Sequence, residues 1–224
     1  MKRKNRLTPA FTLLELVFVI IVIGILAALS FPRMERDIRQ EAADNILSAI
    51  RYTQHLALID NKHKFNVYDW QKTLWMIRFE KYGSDIIYKI GTDREEDGNI
   101  DKKDAAIDPL SKKYIFSTDA TQDSDESKDI FLTKLYGIES VTFNNCKGAQ
   151  ATNAKHIAFD HKGRVYRGIL NTSSTSGGGA TNTYATYVKN GQCEITFGSP
   201  SFDNIKIIIL EETGFAYIDG QPDS

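Results

Sequence analysis

The sequence has no excess of either charge: 28 Lys and Arg stand against 29 Asp and Glu, a formal net charge of -1. Without a basic excess the chain lacks the bulk attraction on which phosphate-backbone binding relies, which argues against nucleic acid as a partner. Cysteine is scarce, with Cys146 and Cys193 alone and no CxxC, and the four histidines (His55, His63, His156, His161) show no zinc-ligand spacing. They read as surface residues. No nucleophile elbow and no phosphate-cradling glycine loop is present, so no enzymatic constellation competes for the chain. The 42% hydrophobic and 25% charged composition over 224 residues suits one globular domain, or one core plus a long helix.

What the sequence does have is an apolar run. Residues 11–31 carry only Thr12, Glu15 and Ser30 as polar residues. At about 1.5 Å per residue the run matches the ~30 Å hydrocarbon core of a bilayer, and a lone carboxylate there demands a partner. Lys2, Arg3, Lys4 and Arg6 precede it with no acid among them, whereas Arg33, Arg36 and Arg39 alternate with Glu35 and Asp37. The positive-inside bias predicts a cytoplasmic N-terminus and an exported remainder. In an oxidising compartment Cys146 and Cys193 are expected to pair, the alternative being two separate buried thiols. A cleavable secretory signal is the plainer reading of residues 1–30, with small residues Ala27, Ala28 and Ser30 near its end. Glu15 inside the apolar segment, the length of that segment and the continuation of the helical pattern all count against it. Beyond Pro32, Ile38, Ala42, Ile46, Ile50, Thr53 and Ala57 recur at helical spacing, flanked by Ala43, Leu47 and Leu56, up to a stop at Asp60 and Asn61.

The basic leader, the small Ala10, the segment Phe11-Thr12-Leu13-Leu14-Glu15 and the apolar residues after it resemble the class III signal of type IV pilins and type II secretion pseudopilins. The resemblance covers residues 6–33 and includes Gly24 within the helix and Pro32 at its exit; the chain departs from the family in carrying Ala10 where Gly is usual before the cut. It implies that prepilin peptidase cuts between Ala10 and Phe11 and that Phe11 is N-methylated. It also implies that Glu15 pairs with the N-terminus of a neighbouring subunit, and that Gly24 and Pro32 loosen the helix where packing needs it. The fold implied is α+β: a leader (1–10), a transmembrane and assembly helix (11–31), its amphipathic continuation (32–62) and a β-rich antiparallel head (63–224). The function implied is that of a non-enzymatic structural subunit, a minor pilin or pseudopilin. Its partners would be other subunits, prepilin peptidase and an inner-membrane assembly platform. Its place would be the inner membrane, single-pass, with a periplasmic head, and then the filament. Two other readings stand beside it: a surface minor pilin binding DNA through Lys162, Arg164 and Arg167 or binding a host surface, and a calcium-binding exported enzyme with a signal anchor.

In the head, alternating runs predict strands at 64–68, 74–79, 86–90, 114–117, 130–135, 140–143, 156–160, 164–170, 184–189, 194–197, 205–210 and 215–218. Hairpin turns are expected at Asp160-His161-Lys162-Gly163 and Glu211-Glu212-Thr213-Gly214. The segment HIAFDHKGRVYRG (156–168) resembles a strand-turn-strand of H-type minor pseudopilins, and NTSSTSGGGATNT (171–183) reads as a flexible loop. DREEDGNIDKKD (93–104) has the spacing of an EF-hand-type calcium loop. Asp93, Glu95, Asp97, Asp101 and Asp104 would supply carboxylate oxygens, Asn99 a backbone carbonyl, Gly98 the sharp turn and Ile100 an apolar anchor. Glu95 is longer, and Asp104 shorter, than the usual ligand at its position. A solvated acidic turn is the alternative, in a stretch (93–129) with twelve acidic and six basic residues.

Overall fold

The structure, a computed structural model, describes residues 12–64, 70–95, 97–146, 154–167, 191–221 and 223, and only the backbone of residues 28–37, 154 and 167. Among the described residues, two antiparallel sheets and two α-helices make the fold α+β. The chain divides into two units, Met1–Ile38 and Arg39–Ser224.

Helix α1 runs Leu13–Ile59 and includes Pro32. In the first unit every residue from 12 to 27 is exposed. The expectation of a single-pass membrane anchor is corrected here: among the described residues no helix is long and apolar enough to cross a membrane.

The second unit contains the other end of α1, with Ala42, Ala43, Ile46, Leu47, Ile50, Thr53 and Ala57 buried along one stripe, as their helical spacing predicts. The first sheet has the order β2-β1-β4-β5, from β1 (Trp75–Tyr82), β2 (Asp85–Gly91), β4 (Ala154–Phe159) and β5 (Val165–Arg167). The second has the order β3-β6-β7-β8, from β3 (Ser140–Asn144), β6 (Cys193–Gly198), β7 (Ile205–Ile209) and β8 (Ala216–Ile218). The α1 stripe shares one cluster with Ile77 and Phe79 of the first sheet and with Ile195, Phe197 and Ile207 of the second. Leu74, Met76, Ile100, Phe116, Ala158 and Tyr166 form a smaller cluster. Cys146 and Cys193 are joined as a disulfide 47 residues apart, the pairing expected for an oxidising compartment.

Both expected hairpins form. Asp160 closes the β4–β5 turn by accepting from Lys162 N at 2.9 Å and Arg164 N at 3.0 Å, and Gly163 sits at φ +80°. Gly214, at φ +63°, closes the β7–β8 turn through its bond to Leu210 O at 2.8 Å. The turns touch, and Gln54 Nε2 of α1 donates to Gly163 O at 3.1 Å and Thr213 O at 2.9 Å.

Two expected strands are not strands. Residues 114–117 make only isolated bridges, from Tyr114 to Ile107 and to Glu126. Residues 130–135 end a 3-10 turn (Lys128–Ile130) and begin α2 (Leu132–Tyr136), because Leu132 and Tyr136 bury four residues apart on one helix face and Gly137, at φ +68°, caps the end. The strands expected at 64–68 and 184–189, the end of the one at 164–170 and the loop at 171–183 fall almost wholly outside the described residues.

Candidate functional site

The N-terminal helix begins with a reciprocal cap. Thr12 N and Thr12 Oγ1 each donate to Glu15 Oε2 at 3.2 Å, and Glu15 N donates to Thr12 Oγ1 at 3.2 Å. This is the capping box, legible in the sequence as Thr12-x-x-Glu15 and missed in reading Glu15 as a carboxylate in need of a partner. A negative charge in the first helical turn is also favoured by the helix dipole. Gly24 needs no room within its own chain, since a Cβ there would meet nothing within 4 Å. Ala10 and Phe11 lie outside the described residues, and of Pro32 only the backbone is described.

The acidic loop leaves β2 and returns to it. Thr92 N bonds Asp104 O at 3.2 Å, and Gly91 bridges Ala105. Buried Asp93 folds the interior of the loop, its two oxygens accepting from Asp97 N at 3.2 Å and Gly98 N at 2.9 Å. Asp97 Oδ1 accepts from Asn99 N at 2.9 Å, and Gly98 takes φ +92°, the left-handed turn expected of it. Ile100 is buried in the smaller cluster. Its Cγ2 would lie 2.5 Å from a Cβ at Gly91, so the loop seats directly on the strand end. Arg78 Nη1 of β1 donates to Gly98 O at 2.6 Å, a tie that no sequence spacing reveals.

Of the five expected carboxylate ligands the fold brings three together. One oxygen each from Glu95, Asp97 and Asp101 lies within 4.8 Å of the others. Asp93 serves the loop backbone, and Asp104 is buried with Arg94 Nε 3.2 Å away. Lys103 bonds Glu95 and stands 3.9 Å from Asp101, acting as the cluster's counter-ion. The three carboxylates are hard oxygen donors, half or fewer of the six to eight oxygens that a Ca²⁺ ion takes.

Arg78, Lys89 and Glu80 form an ion network close by: Glu80 lies 2.6 Å from Arg78 Nε and 2.7 Å from Lys89 Nζ, and Tyr82 donates to it. His156 stands cross-strand from Arg78. It is only 2% exposed, which corrects the reading of all four histidines as surface residues. Burial, reinforced by the Arg78 charge, pushes its pKa down to about 3. Of the basic trio on the β4–β5 hairpin, Arg164 pairs with Asp160 at 2.7 Å and Lys162 is exposed. In comparisons with protein-family models, curated proteins and solved structures, no match to this chain is found.

Proposed function

We propose that this protein is a non-enzymatic structural subunit of a pilus or pseudopilus filament, built into it through the apolar half of α1. The observation that carries the reading is the exposure of that half. From Leu13 to Leu26 its large side chains stand open, Leu13 at 81% and Phe18 at 67%. Covering such side chains is worth roughly 1.5–3 kcal/mol each, so a surface of this kind is made to be covered. Equivalent helices of neighbouring subunits would cover it. The resemblance of residues 6–33 to prepilins supports the same reading. Prepilin peptidase would free the amino group of Phe11, next to the N-cap Thr12. Both Thr12 bonds go to Glu15 Oε2, which leaves Oε1 for the ammonium of a neighbouring subunit.

The test is the mature end and the assembled state. With prepilin peptidase, mass spectrometry of the chain should show residues 1–10 missing and an N-methyl group on Phe11. The processed chain should co-sediment with filament subunits. A mature end near Ser30, or intact residues 1–10 in assembled material, refutes the proposal.

We also propose that the acidic loop takes one Ca²⁺ through Glu95, Asp97 and Asp101. The ion would supply the positive charge that Lys103 otherwise gives these carboxylates. Its expected role is to order the loop.

A further inference from the structure

We draw no further inference here: the strongest candidate, the groove between α1 at Asn45, Ser48 and Tyr52 and the segment carrying Asp108, Leu110 and Asp129, with Leu110 exposed beside it, is an unpartnered face, and nothing in the structure shows what covers it.

Discussion

Glu15 completes the capping box by accepting from Thr12, so Glu15→Leu removes that side-chain acceptor together with a charge while the Thr12 cap on Glu15 N stays. Glu15→Gln separates the two, because Gln also serves a capping box. If the carboxylate pairs with a neighbour's ammonium, Glu15→Gln should keep the helical content and lose co-assembly. Normal co-assembly of the Gln variant would reduce Glu15 to a cap. The touching turns give a sharper case. A Cβ on Gly214 would lie 1.9 Å from Gly163 O and 2.7 Å from Gln54 Nε2. Backbone at φ +63° cannot retreat from a backbone oxygen, so Gly214→Ala should cost more than about 3 kcal/mol in chemical denaturation. Gln54→Ala, which leaves two carbonyls to find water, should cost only about 1–2 kcal/mol. Equal costs would place the strain elsewhere. His156 predicts a pH dependence. Its folded pKa is below the ordinary 6.5, so the unfolded chain takes up the proton first as pH falls. The stability it contributes is therefore whole above about pH 6.5 and is lost progressively as pH falls toward about 3, on the order of 2 kcal/mol by pH 5. Denaturation at pH 7 and pH 5 should show His156→Gln losing that much less than the parent, and parallel losses would refute it.

Among the elements, the acidic loop is the one whose behaviour should depend on a cation. Free calcium at ten times the dissociation constant would add about 1.4 kcal/mol to a folded state that alone binds it. For a folded unit of this size that is roughly 3–6 °C in melting temperature. Asp97→Asn with Asp101→Asn keeps the shapes and the Asn99 bond while removing two charges, and should abolish the shift. Equal melting of the parent in calcium and in chelator, with no heat of binding, would leave an acidic turn neutralised by Lys103. Elements with their own periodicity were legible in the sequence: the α1 stripe from Ala42 to Ala57, and the hairpins set by Gly163 and Gly214. Residues 114–117 and 130–135 misled because Ile115, Phe116, Phe131 and Leu132 are apolar for burial in the core clusters, not for pairing in a ladder. The loop's Asp-Gly turn and its Ile100 anchor could be read from spacing. Arg78, twenty residues before Gly98, could not, since the β1–β2 pairing alone brings that strand beneath the loop.

At the scale of the whole molecule, the second unit holds α1 by more than its apolar stripe. Arg39 donates to Asp203 O and Asn204 O, and Arg51 donates to Ala216 O at 2.7 Å. The disulfide adds a constraint on the unfolded chain. Closing a loop of 47 residues is worth roughly 4 kcal/mol by chain entropy, so Cys146→Ser with Cys193→Ser should melt on the order of 10 °C lower. Unchanged melting would mean that the unfolded chain is already confined without the bond. The Cys146–Cys193 bond also makes the backbone between these residues a closed covalent ring, and the Gly-, Ser- and Thr-rich residues 171–183 lie on it. A single hydrolysed peptide bond anywhere on that ring cannot release a fragment. A nicked chain would keep its full mass under oxidising conditions and fall into two pieces only when the sulfurs are reduced.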